Sequence, residues 1–263
     1  MNKGLAIVIV IIFIIGVVFV FRSTNNTMKE NNTDINIQSE GDIQVVPIEH
    51  ATMVLKWAGK VIYTDPTGGA EAFAGEPVPD LILITDIHGD HLDRVTLLVV
   101  VKENTIVVMP QAVADELEEK LPGVTVILKN GEKTNQAGFL IEAIPMYNLP
   151  EKIDAYHTKG RGNGYVLEAT GKRVYISGDT AGIPEMRSLK NIDFAFVSMN
   201  LPFTMDVEEA ADAVLEFKPK VVTPYHYRGQ NGLSDTKKFR DLVNALDPNI
   251  TVDLMDFYPE ESN

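Results

Sequence analysis

The sequence predicts an α/β (α+β) fold: a four-layer αββα sandwich of two mixed β-sheets, preceded by one N-terminal transmembrane helix. Three observations carry that expectation. Short β-rich runs come first and then alternate with helical patterns, the order of mixed sheets with helices on their outer faces. The runs 81–84, 192–198 and 221–223 are apolar in the way of buried strands. Residues 4–21 are continuously apolar, which as a helix spans about 27 Å, close to the thickness of a bilayer's hydrocarbon core.

Taken in order, residues 1–22 read as an uncleaved membrane anchor. A cleaved signal peptide would have a shorter apolar core and a small-x-small site, whereas the run here ends Val20-Phe21-Arg22. Lys3 precedes the span and Arg22 and Lys29 follow it, so charge hardly fixes orientation. A short N-terminus before a long domain gives the expectation of a single-pass protein with its domain outside the cytoplasm. Residues 23–42, rich in Asn and Thr, read as a disordered tether. The main domain is expected over 43–258, with 259–263 as an acidic tail.

Within that domain, strands are predicted over 43–48, 52–57 and 61–64, with Ala58-Gly59-Lys60 as a turn. Asp65-Pro66-Thr67-Gly68-Gly69 breaks the pattern. A buried strand at 81–84, a helix at 96–102 and a strand at 105–109 follow. Val113, Leu117 and Leu121 lie on one side of a helix predicted over 111–121, which Pro122-Gly123 ends. Strands at 124–128, 139–144, 165–168 and 174–176 are separated by Gly-containing turns. The buried strands at 192–198 and 221–223 flank a helix over 207–217, apolar at Ala210, Ala211, Val214 and Phe217. A helix over 235–246 carries Phe239, Leu242 and Val243 on one side, and a last strand is placed at 251–255. No internal period suggests a solenoid or propeller.

Composition narrows the function. With 263 residues, 45% of them hydrophobic, the chain can bury a sizeable core. A formal net charge of −14 opposes nucleic acid as an electrostatic partner. A small anionic substrate remains compatible, since bound metal ions reverse the local field. The absence of cysteine removes disulfides, thiolate zinc sites and a cysteine nucleophile.

The chemistry concentrates in Leu81-Ile82-Leu83-Ile84-Thr85-Asp86-Ile87-His88-Gly89-Asp90-His91-Leu92-Asp93. A buried strand delivers Asp86, His88, Asp90 and His91 into one short loop, and imidazoles beside carboxylates suit a divalent metal. The alternative is a polar loop that happens to hold histidines, but the chain has only five of them. Three more donors lie beside strands. His157 sits in a glycine-rich loop and could equally be a surface histidine. Asp179 follows Gly178 after a strand and could equally cap a helix. His226 follows Thr223-Pro224-Tyr225.

Together these motifs resemble the metallo-β-lactamase superfamily. Its metal signature is H-x-H-x-D-H, matched here by Asp86-Ile87-His88-Gly89-Asp90-His91 with Asp86 in place of the first His. His157, Gly178-Asp179-Thr180 and His226 follow in order, and His50-Ala51-Thr52 and Thr64-Asp65-Pro66 fit the N-terminal part. The segments at 145–148, 157–160 and 164–166 are similar to those of predicted metal-dependent hydrolases related to the ascorbate-phosphate lactonases.

The resemblance implies two adjacent metal ions, the first held by Asp86, His88 and His157, the second by Asp90, His91 and His226, with Asp179 bridging. It implies a hydrolase using a metal-bound hydroxide to open a lactone, ester or phosphodiester, with Asp90 and His226 as the catalytic pair. Zinc is the family's metal. Asp86 adds negative charge, which favours Mn²⁺ or Fe²⁺ and could weaken the first ion enough to leave a mononuclear site. His50 and Asn148 are candidate pocket residues, with Tyr147 near the same cleft. Lys159 and Arg161 read as anion contacts or as solvated cations. The partners expected are a small-molecule substrate and the membrane, without nucleic acid. The alternative function is a non-catalytic, metal-stabilised binding module at the membrane, its site degenerate at Asp86.

Overall fold

The computed structural model describes residues 43–117 and 120–259. The expected anchor (1–22), the tether (23–42) and residues 260–263 of the tail lie outside the described residues. Among the described residues no helix is long and apolar enough to cross a membrane.

Six strands form the first sheet in chain order: β1 (Gln44–Glu49), β2 (Thr52–Trp57), β3 (Lys60–Thr64), β4 (Leu81–Leu83), β5 (Ile106–Met109) and β6 (Val124–Ile127). β1 to β3 pair antiparallel and β3 to β6 parallel. Parallel neighbours need a crossover. Helices α1 (Arg94–Val100) and α2 (Gln111–Glu116) supply it from β4 to β5 and from β5 to β6.

The second sheet is built the same way. β7 (Lys133–Gln136), β8 (Phe139–Met146), β9 (Gly162–Ala169) and β10 (Lys172–Ile176) pair antiparallel. β10, β11 (Phe194–Ser198), β12 (Val221–Tyr225) and a short last strand at Thr251–Val252 then run parallel. Helices α3 (Pro184–Arg187), α4 (Val207–Phe217) and α5 (Thr236–Leu246) fill these connections. Arg228–Gly229 and Gly232–Leu233 pair as a separate small hairpin.

Side-chain alternation sorts the first sheet's faces. Ile82, Ile84, Val107 and Met109 pack with Leu97 and Val100 of α1 and Val113 of α2. Leu81, Leu83, Val108, Met53, Leu55 and Trp57 face the second sheet instead. Trp57 packs against Phe139 of β8 with ring centres 4.9 Å apart and planes tilted by 53°, and its indole N–H donates to Thr170 Oγ1 at 3.2 Å. The second sheet's far face meets α4, as in the contact of Tyr175 with Phe217. The layers therefore run helix, sheet, sheet, helix.

Two predicted elements end three or more residues before expected. Helix α2 stops at Glu116, where Leu117 turns extended (φ −78°, ψ 102°), although Leu121 is still buried. The strand expected over 251–255 ends at Val252. β7, α3 and the small hairpin were not anticipated.

Candidate metal centre

The donors gather at one edge of the two sheets, where β4, β10 and β12 end. After β4, His91 N and Leu92 N both donate to His88 O, a tight turn that sets four donors in one short loop. Asp93 closes the loop by accepting from Val95 N and Thr96 N, capping α1. After β10, Gly178 (φ +61°) makes a turn that glycine adopts without strain, and it delivers Asp179. Asp179 caps no helix, because the next one starts at Pro184. After β12, His226 takes a left-handed φ of +46°, uncommon for a residue with a Cβ and typical of functional positions. His157 enters from the loop before β9 and is buried, not a surface residue.

Asp179 sits at the middle. Its Oδ2 lies 3.3 Å from His157 Nε2 and 3.5 Å from His91 Nε2, and its Oδ1 lies 3.5 Å from His226 Nε2. Asp90 Oδ2 is 3.3 Å from His226 Nε2, and Asp90 Oδ1 is 3.9 Å from His91 Nε2. On the other side Asp86 Oδ2 is 2.6 Å from His88 Nδ1 and 3.7 Å from His157 Nε2. Two donors each about 2.1 Å from one ion lie roughly 3–3.5 Å apart, the spacing seen around Asp179 and between Asp90 and His226. The ligand atoms fall into groups of three within 4.8 Å of one another: Asp86, His88 and His157; His91, Asp179 and His226; and His50, Asp90 and His226.

The rings are aimed by partners outside these groups. His91 Nδ1 donates to Asp65 Oδ2 at 2.9 Å, and Asp65 also accepts from Thr85 N at 2.7 Å and Thr85 Oγ1 at 2.6 Å. His157 Nδ1 donates to Phe203 O at 3.1 Å. Each proton so placed turns Nε2 towards the centre, where the neutral ring offers its lone pair. His91 Nε2, His157 Nε2 and Asp179 Oδ1 are buried and, among the described residues, form no hydrogen bond. Buried polar atoms left without partners are costly and rare. Three of them converging among carboxylates is what a divalent cation would satisfy, so the residues fit the implied metal.

Protonation in the metal-free chain agrees. Burial pushes His226 and His91 down, but the charge of Asp179 outweighs it, lifting His226 to about 9 and His91 well above its ordinary value. Burial raises Asp179 and Asp90, yet the imidazoles around them hold both well below the usual carboxylate range. Burial also raises Asp86, against hydrogen bonding from His88 and the charges of His91, His88 and Arg161, which bring it to about 2. Protons stand in the metal-free protein where cations are expected.

A cavity of about 240 Å³ opens on the cluster, lined by His88, Asp90, Tyr156, His157, Asp179, Asn200 and Phe203. Asn148 is not among these residues: its Oδ1 accepts from His157 N at 2.8 Å and its Nδ2 donates to Phe203 O at 2.8 Å, so it braces the His157 loop. Tyr147 is buried, with its hydroxyl on Glu185 at 2.9 Å. His50 packs edge-on against His226 at 5.4 Å and reaches Tyr258 Oη at 3.2 Å, beside the cluster. Arg161 is not solvated but forks onto Asp86, and Lys159 pairs with Tyr147, Glu151 and Glu185. Sequence reasoning missed the roles of Asp65, Asn200 and Phe203. Only Asp65 left a signal, as the polar residue that follows β3 and precedes Pro66.

Two stacked mixed sheets with a His/Asp cluster where their strands end define an α/β protein with a candidate metal centre. The chain belongs to the β-lactamase superfamily: the β-lactamase superfamily domain matches residues 44–226. It is 31% identical over 212 residues to a metal-dependent hydrolase from Pyrococcus abyssi, covering 76% of this chain and 92% of that one. It is 32% identical over 209 residues to one from Thermococcus onnurineus, with the same coverage. A solved structure from Parabacteroides distasonis, provisionally named a metal-dependent hydrolase, superposes with a TM-score of 0.72 at 36% identity, covering 82% of this chain and 94% of that one. The chain is accordingly an enzyme, a metal-dependent hydrolase.

Proposed function

We propose that the enzyme binds up to two divalent ions and hydrolyses a lactone, an ester or a phosphodiester. The observation that carries this is the convergence of His91 Nε2, His157 Nε2 and Asp179 Oδ1, buried and without a hydrogen bond among the described residues, beside an open cavity that His157 and Asp179 line. Asp86, His88 and His157 would hold one ion, and His91, His226 and Asp90 the other, with Asp179 between them. Such ions supply Lewis acidity and lower the pKa of water. The chain's own residues do the rest. Asp90, half exposed at the cavity and held ionised, is placed to orient a water molecule or accept its proton. Asn200 and the Tyr156–Phe203 pair, in edge contact at 5.1 Å, form the wall that a substrate would meet.

The test is turnover of a lactone panel and of bis(p-nitrophenyl) phosphate by protein loaded separately with Zn²⁺, Mn²⁺ or Fe²⁺. Replacing His91 or Asp179 by Ala is expected to remove metal, and replacing His88 by Ala to remove the ion beside Asp86, each lowering turnover by about 1,000-fold or more. A fully loaded protein inert towards every substrate would favour the binding-module alternative. The apolar run at 4–21 supports a membrane anchor for this activity. Recovery of the full chain in the soluble fraction, without detergent, would end that part of the reading.

A further inference from the structure

Asp86 stands where the family's signature has an imidazole, and the structure gives it an unusual companion. Arg161, in the turn entering β9, donates through Nε to Asp86 Oδ1 at 3.1 Å and through Nη2 to Asp86 Oδ2 at 2.9 Å. The carboxylate is fully buried, and its Oδ2 also lies 2.6 Å from His88 Nδ1. A carboxylate has about four lone-pair positions, so the guanidinium fork and His88 fill most of them. An ion entering the Asp86–His88–His157 group must displace His88 from Asp86. It must also settle beside a fixed positive charge, whose repulsion is poorly screened where water is excluded. The opposite group differs in its carboxylate. His91 Nε2 and His157 Nε2 both lack a hydrogen bond among the described residues, but so does Asp179 Oδ1, whereas both oxygens of Asp86 are held by Arg161. No Lys or Arg side chain is hydrogen-bonded to His91, Asp179 or His226 among those residues.

We propose that the two halves of the centre bind metal unequally, and that Arg161 sets the difference. One ion binds tightly at His91, Asp179 and His226 with Asp90. The other binds weakly at Asp86, His88 and His157, because Arg161 already neutralises and occupies Asp86. Arg161 is a positioning residue, acting through Asp86 rather than on substrate. The negative charge that Asp86 brings then has little influence on which metal the tight position selects. This inference rests on the metal-centre reading above.

Titration of the metal-free full chain with Mn²⁺, and in parallel with Zn²⁺, tests it by calorimetry, with electron paramagnetic resonance following the manganese. The wild type is expected to bind one ion tightly and a second on the order of 100-fold more weakly, with an uncoupled manganese spectrum at one equivalent. Arg161→Met, checked for folding by its thermal melt, is expected to strengthen the second ion on the order of 100-fold and to give a spin-coupled pair at two equivalents. Two ions of equal affinity in the wild type would overturn the inference, and that reading needs no variant. A weaker second ion in Arg161→Met would also overturn it, since Arg161 would then be holding Asp86 in place as a ligand. Failure of the wild type to bind either metal would overturn the metal centre as well, whereas equal binding leaves the centre standing.

Discussion

Asp65 shows how much of this centre depends on a residue that would touch neither metal nor substrate. It is buried, takes a left-handed φ of 43°, and spends its carboxylate on Thr85 N, Thr85 Oγ1 and His91 Nδ1. That arrangement fixes the His91 tautomer and turns its Nε2 inward. Asp65→Asn keeps the shape but offers an amide N–H₂ or a weaker carbonyl acceptor to His91. Metal affinity is expected to fall about 10–100-fold, as for other residues that orient ligands. Competition with a chromogenic chelator measures it, and an unchanged affinity would show that the ring is held by packing alone. The donors themselves were legible in sequence, because histidines and aspartates beside apolar runs announce themselves. The residues that aim them were not. Asn200, whose amide Nδ2 lies 3.4 Å from His226 Nε2, and Phe203, whose backbone carbonyl takes the His157 proton, act from loop positions that no local pattern marks.

At the scale of elements, legibility followed hydrophobic content. β2 and α4 fall at their predicted bounds because their apolar patterns are complete. β7, Lys-Thr-Asn-Gln, has no apolar residue and pairs only with β8 at the edge of its sheet, so nothing in its composition signals a strand. The two sheets share one plan, an antiparallel meander followed by parallel β/α units, which has no counterpart in a sequence period. The same plan puts β9 and β10 side by side, where the antiparallel pair meets the donor loops. There Gly164 allows contact closer than any side chain tolerates: an added Cβ would sit 2.7 Å from Ser177 O and 2.9 Å from Ile176 O. Gly164→Ala must push β10 away from β9 just before Asp179. The expected cost is about 1–3 kcal/mol of stability, together with lost metal affinity. Thermal melts and metal titration of one preparation report both, and an Ala variant that melts and binds as wild type would refute the close-approach argument.

For the molecule as a whole, the donors come from both sheets: Asp86 to His91 follow β4 of the first, while His157, Asp179 and His226 belong to loops of the second. An ion held across that edge ties the sheets together where the loops, rather than the apolar interface, keep them in register. Because it binds the folded chain, metal at about 100 times its Kd adds roughly 2.7 kcal/mol. For a domain of this size that is a rise in Tm of about 5–10 °C. The effect must also depend on pH. His226, lifted to about 9 in the metal-free chain, contributes stability that is full below its ordinary value of 6.5 and is lost as pH rises through 9. Metal requires the same imidazole neutral, so binding expels its proton and strengthens as pH climbs towards 9. The metal-free chain thus weakens over the same range in which the metal-bound chain gains. Calorimetric scans of the full chain with excess metal and with excess chelator, at pH 6.5 and 8.5, should show a gap in Tm that widens at the higher pH. Superimposable scans at both pH values would mean that no ion bridges the two sheets, and a gap that narrows with pH would mean that His226 does not carry the proton that metal displaces.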